Sequence, residues 1–415
     1  MDKSVKDLQY KKFCAYGFLK NLQFFEPYLI IFFRVSGISF LQIGILFSVR
    51  EIITNIMEVP SGIIADALGR KSAMIFAFIS YIVSFALFFF FPGYLFFIIA
   101  MVFFGFGEAF RSGTHKAMIL DYIRKKEMFS LKAEYYGHTR GWAQLGSSLS
   151  ALLAALLVFL TENYRIVFLG SIIPYIAGLL LIASYPVFLN ARRGTAPGAG
   201  AVLKAMKDTF DSFVLLFKRP RLGRAIFNSA IFDAAFKTTK DYIQPMLRAF
   251  GLSLPILAAL NGERRVALVT GIIYSVIFLI TSRASTNSSK VTGRFKQISS
   301  AVNWLYAAGI ITVAASGILL ALGVQWAAIA LFMLFYIIMN IRRPATVSYV
   351  SDHIDDAVMA SGLSAESQIK TIFVAVLAPV TGFLADAFGV GYALIIIAAF
   401  VFFLLPFVRV KPGSA

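Results

Sequence analysis

Residues Gly62–Lys71 read GIIADALGRK, a short charged turn set between two long apolar runs. Each residue type there has a physical task. Gly62 lacks a Cβ and so is expected to let two helices approach closely. Asp66 puts an anion beside helix ends, where free backbone groups can receive it. Gly69 makes the tight turn, and Arg70 and Lys71 add the positive charge that keeps a loop on the cytoplasmic side of a membrane.

The surrounding chain supports a membrane reading. It has 415 residues, 59% hydrophobic and 14% charged, with 43 Phe, against about 25% charged in a soluble domain. A soluble fold could not cover that much apolar surface, so lipid must be its main solvent. A net charge of +18 would suggest nucleic acid in a soluble protein. Here the basic residues gather in short loops between apolar runs, the distribution that sets membrane orientation, and no nucleic-acid partner is expected. Cys14 is alone, which leaves no internal disulfide. His115, His138 and His353 lack ligand spacing, so no metal or other cofactor is expected. The first apolar run contains Lys20 and Glu26 and no small-residue cleavage site, so it reads as a retained span.

At about 20 residues per crossing, spans are predicted at 13–33, 40–64, 72–91, 94–118, 137–160 and 164–189. A second set is predicted at 223–249, 265–283, 298–322, 325–343, 366–388 and 390–409. The basic Gly/Pro-containing segment 190–222 reads as a cytoplasmic linker, with room for a short amphipathic helix on the membrane surface. Loops carrying Arg124–Lys126, Arg294 with Lys296, and Arg342 with Arg343 alternate with turns almost free of charge. That alternation places both termini in the cytoplasm. The halves echo each other: Glu26-Pro27-Tyr28-Leu29, then Gly37-Ile38-Ser39, corresponds to Gln244-Pro245-Met246-Leu247, then Gly251-Leu252-Ser253. A duplicated unit is expected.

The pattern Gly-x3-Asp-x2-Gly-Arg-Lys at the end of a second span resembles the signature loop between helices 2 and 3 of major facilitator superfamily transporters. The second half has no copy of it and carries ITSRASTNSSK at the corresponding place. The resemblance implies an all-α integral membrane fold of twelve transmembrane helices in two pseudo-symmetric six-helix bundles. The bundles would be residues 1–189 and 223–415, rocking about a central site lined by helices 1, 4, 7 and 10. It also makes Gly62, Asp66, Gly69, Arg70 and Lys71 a gating loop rather than a ligand site.

Ionisable residues inside spans cost several kcal/mol and need partners or water. Asp233, Lys237, Lys240, Asp241 and Gln244 fall within roughly 100° of one helical face, with i,i+4 spacing between Lys237 and both aspartates. Lys20, Gln23 and Glu26 share one side of the first span. Glu108, Arg111 and His115 share a face of the fourth, and Tyr336 and Asn340 mark the tenth. Each admits a structural reading as well: a neutralising ladder on the seventh span, a helix-fixing pair for Glu108 with Arg111, an interfacial role for His115. Arg50 and Glu51 read as interhelical contacts, and Glu366 with Lys370 as a pair at a helix end.

Catalytic motifs are missing, as is a Walker A loop, so the chain reads as a non-enzyme driven by an ion gradient. The segments EPYLIIFFRVSGISFLQIG and EVPSGIIADALGRKS resemble those of prokaryotic drug and metabolite exporters. The expectation is a monomer in a prokaryotic cytoplasmic membrane, exporting a small organic solute by alternating access with protons as the coupling ion. The alternatives are uptake or exchange of an organic anion, because Lys20, Lys237, Lys240 and Arg111 are cationic, and, more remotely, a membrane receptor.

Overall fold

The computed structural model describes residues 7–128, 131–190, 200, 207, 220–351 and 356–411. Most of the linker expected at 190–222, including its amphipathic helix, lies outside these residues, as does His353. No strand occurs among the described residues. That follows from lipid as solvent, because a helix satisfies its backbone groups internally.

The helices are α1 Leu8–Lys20, α2 Leu29–Val35, α3 Phe40–Leu68, α4 Arg70–Phe90, α5 Tyr94–Arg111, α6 Thr114–Lys125, α7 Lys132–Thr161 and α8 Ile166–Ala183. They continue with α9 Pro220–Thr239, α10 Ile243–Ser253, α11 Gly262–Thr286, α12 Ser288–Thr292, α13 Ile298–Ala321, α14 Gln325–Ser351, α15 Asp356–Phe388 and α16 Val390–Val408. Ten of these segments, counting α5 with α6 as one, are long and apolar enough to cross a membrane. The other two expected crossings, 13–33 and 223–249, are split. A 3-10 turn at Glu26–Tyr28 separates α1 from α2, and another at Lys240–Tyr242 separates α9 from α10. Each break lies beside the repeated X-Pro pair. Proline has no N–H and its ring crowds the preceding turn, so a continuous α-helix is hard to keep there.

Contacts divide the chain into two units. One comprises Met1–Phe32, Val49–Ala205 and Leu260–Phe278; the other comprises Phe33–Ser48, Met206–Ala259 and Leu279–Ala415. In the first, α4 packs on α5 and α8, and α1 packs on α7 and α8. In the second, α13 packs on α14 and α16, and α9 packs on α15.

Gly69 alone separates α3 from α4, with φ +101°. A Cβ there would stand 2.3 Å from Asn190 Oδ1, which accepts the Ser72 backbone N–H at 3.2 Å. Glycine is therefore required twice over, by its backbone angle and by the side chain that caps α4 across the turn.

Candidate functional site

Tyr81 of α4 and Glu108 and Arg111 of α5 close a triangle of hydrogen bonds in the first unit. Arg111 Nη2 donates to Glu108 Oε2 at 2.6 Å and Nε donates to the Tyr81 hydroxyl at 3.1 Å. That hydroxyl donates in turn to Glu108 Oε1 at 2.6 Å. The i,i+3 spacing puts acid and base on one face, and Tyr81 fixes both. Lys20, in the last turn of α1, feels the charges of Arg111, Glu108 and Glu26. Gln23 Nε2 donates to the Tyr175 hydroxyl at 3.0 Å, and that hydroxyl donates to the Lys20 carbonyl at 3.2 Å. Glu26 is half-buried in the 3-10 turn, off the α-helical stripe the sequence suggests, because helical periodicity stops at Lys20.

His115 does not continue the α5 face. Gly113 (φ +79°) breaks the helix, and His115 lies buried in α6, stacked on Tyr16 with centroids 3.6 Å apart. Its Nε2 is 3.3 Å from the Tyr185 hydroxyl. The interfacial reading of this residue gives way to a core aromatic contact.

At the α3–α4 junction Arg70 donates to Asp66 at 3.2 Å and to Asp121 of α6 at 2.5 Å, while Lys71 Nζ donates to the Tyr185 carbonyl at 3.0 Å. Sequence reasoning misses Asp121, since it sits in a lysine-rich stretch without a recognisable spacing. Gly62 is corrected: a Cβ there would meet nothing within 4 Å, so no close helix contact needs it. The Asp66 side chain is 53% exposed and that of Asp121 26%. A double-mutant cycle is expected to give Arg70–Asp121 about 1–2 kcal/mol of coupling and Arg70–Asp66 about 0.5 or less. Thermal melts of the purified protein measure both.

The second unit holds the other candidates. Asp233 and Lys237 are half-buried one turn apart on α9. The α-helical stripe ends at Thr239, where the 3-10 turn changes the angle per residue. Lys240 meets its neighbour Asp241 at 2.7 Å, with the Asp241 side chain 5% exposed. Gln244 is fully buried at the start of α10. Tyr336 donates its hydroxyl to the Lys240 carbonyl at 2.8 Å, and Asn340 Nδ2 donates to the Tyr336 carbonyl at 2.9 Å. The structure thus ties Tyr336 to the 3-10 turn, while Asn340 bonds within its own helix.

Two assignments change here. Arg342 is not a loop cation: it lies inside α14 and is completely buried. Glu366 is not at a helix end, because α15 starts ten residues earlier at Asp356; its carboxylate accepts from Ser229 Oγ at 2.5 Å. Counting loop charges misplaces Arg342, since an arginine looks the same in a loop and in a buried helical turn; Glu366 is misplaced because the span is expected to start at 366 while the helix begins at Asp356. A usable signal exists in the repeat. Arg111 and Arg342 both stand 17 residues after the first residue of their helices, Tyr94 and Gln325. Among the described residues no group of three or more His, Cys, Asp or Glu could hold a metal ion.

Residues 13–367 match the family model of the Major Facilitator Superfamily. The MFS-type transporter YxaM of Bacillus subtilis is 23% identical over 408 residues, covering 95% of this chain and 94% of that one. Among solved structures, a mutant of the nucleoside transporter NupG aligns with TM-score 0.77 at 15% identity, over 97% of this chain and 98% of its own. A peptide transporter POT solved with sulfate aligns with TM-score 0.67 at 13% identity, over 98% of this chain and 96% of its own.

Proposed function

We propose that this chain, which belongs to the Major Facilitator Superfamily and is a secondary transporter, exports a small organic solute in exchange for protons. The observation that carries the reading is the triangle of Glu108, Arg111 and Tyr81. A carboxylate held by one cation and one hydroxyl, with a second cation nearby, can trade those partners for a proton. Protonation would release Arg111 and Tyr81 together and change the charge facing a solute. Glu26, Asp233 and Asp241 are further candidate proton carriers. Residues 1–189 and 223–415 are taken as the two moving bundles of an alternating-access cycle. Arg70, with Asp66 and Asp121, stabilises one of its states. Export rather than uptake rests on the resemblance of the first two spans to exporters.

Reconstitution in proteoliposomes with an imposed pH gradient, read over a panel of metabolites and drugs, tests this. Accumulation against a concentration gradient that collapses with a protonophore is the expected result. Downhill flux indifferent to pH would overturn proton coupling.

Orientation follows the same reading, with the chain in a prokaryotic cytoplasmic membrane as a monomer. In a Cys14→Ser background, Lys207→Cys is expected to react with an impermeant thiol reagent only in inverted vesicles. Gly93→Cys is expected to react in intact cells. The opposite pattern would reverse the topology.

A further inference from the structure

Arg342 is the largest completely buried side chain among the described residues. Its guanidinium lies 4.2 Å from the Phe232 ring centroid and 5.5 Å from that of Tyr306. Nη2 donates to Asn228 twice, to the carbonyl at 3.1 Å and to Oδ1 at 2.6 Å. Nε and Nη1 have no hydrogen-bond partner. Three of the five guanidinium N–H groups, one on Nε and two on Nη1, are therefore buried without an acceptor. Asp233 and Glu366 act on the cation through space, yet among the described residues no carboxylate comes within 4.0 Å of it.

A purely structural role accounts poorly for this arrangement. Burying a cation is costly unless it is paired and its donors are satisfied. A neutral asparagine and two aromatic faces satisfy Arg342 only in part. Its positional counterpart shows what a completed site looks like. Arg111, at the same place in its helix, is met by the carboxylate of Glu108 three residues earlier. Three residues before Arg342 the chain has Met339. The first unit supplies a carboxylate in direct contact with its arginine; in the second, Asp233 and Glu366 stay beyond 4.0 Å among the described residues.

We infer that Arg342 recognises a carboxylate group of the transported solute, which takes toward this arginine the place that Glu108 takes toward Arg111. The inference rests on reading the chain as a solute transporter and narrows the solute to an organic acid. Asn228 acts as a positioning residue that holds one edge of the guanidinium and leaves the other donors to the ligand. Because Arg342 is enclosed here, its site must open during the transport cycle for the acid to enter.

The full-length purified protein would be melted with lactate, benzoate and glutarate, and with their amides. At least one acid is expected to raise Tm while its amide does not, and R342Q is expected to weaken that apparent affinity about tenfold or more. Equal responses to acid and amide, no response to any of the acids, or an undiminished response in R342Q would overturn the inference. If R342Q is not monodisperse, modification of wild-type Arg342 by phenylglyoxal, read by peptide mass, replaces it. Protection by the stabilising acid supports the inference, and none at saturation overturns it. Flux distinguishes the two readings. pH-driven accumulation of neutral solutes alone would sink this inference and leave transport standing. An acid response with downhill flux indifferent to pH would leave this inference standing and overturn proton coupling.

Discussion

Arg111→Met is expected to lower stability by about 2–4 kcal/mol, because it leaves Glu108 charged in a largely enclosed site with Tyr81 as its hydrogen-bond donor and no cation in contact, Lys20 acting on it from farther away. Glu108→Gln should cost less, about 1–2 kcal/mol, since the amide still accepts from Tyr81 and Arg111 keeps part of its shell. The double variant should be more stable than Arg111→Met alone, because no unpaired carboxylate remains. Thermal unfolding of the four proteins measures this cycle. A double variant as unstable as the sum of both singles would mean that the two charges do not act as a pair. In proteoliposomes Glu108→Gln, fixed in a form like the protonated one, is expected to lose gradient-driven accumulation while keeping solute exchange. Normal pH-driven accumulation would move the proton site to Glu26, Asp233 or Asp241.

Gly382→Val is expected to prevent α3 and α15 from packing as they do in the second unit. A Cβ at Gly382 would lie 2.1 Å from the Phe40 carbonyl oxygen, and one at Gly44 would lie 2.3 Å from that of Ala378. Both obstacles are backbone, which cannot swing aside like a long side chain. Close helix contact in lipid depends on such small residues, because packing rather than hydrophobic transfer holds the helices together. One turn beyond Gly382, Asp386 accepts from the Phe40 and Leu41 N–H groups at 3.0 and 2.8 Å, which seals the start of α3. Even Gly382→Ala should cost about 1–3 kcal/mol by overpacking. Gly141→Ala serves as the control. No atom lies within 4 Å of a Cβ there, so the change should be neutral or stabilise the helix by about 0.5–1 kcal/mol. Thermal melts that rank Gly141→Ala with Gly382→Ala would refute the close-contact account.

The sequence carried the fold because lipid makes a coarse demand. Apolar runs of spanning length, basic loops in alternation and the Gly69 turn suffice to place the helices, and most observed ends fall within a few residues of those expected. Even the two split helices were marked, by Glu26-Pro27 and Gln244-Pro245. The site was less legible. Glu108 with Arg111 could be read from i,i+3 spacing, because both lie in one uninterrupted α-helix. The stripe from Asp233 to Gln244 supposes 100° per residue across a segment that turns more tightly at Lys240–Tyr242, so Asp233 and Lys237 stay one turn apart while Lys240, Asp241 and Gln244 leave that face.

By itself the sequence determined that the chain is a helical membrane protein with an internal repeat, because these depend on local composition and spacing; the charged turn expected over Gly62–Lys71 narrows to Gly69, since Asp66 lies in α3 and Arg70 and Lys71 in α4. Only the tertiary structure decided which charges meet. Asp121 finds Arg70 across 51 residues, and Ser229 reaches Glu366 across 137. Arg342 passes from an assumed loop cation to a completely buried one. A side chain's charge is written in the sequence; its burial and its partner depend on helices packed from distant parts of the chain, and in a low-dielectric interior those two quantities set what the charge can do.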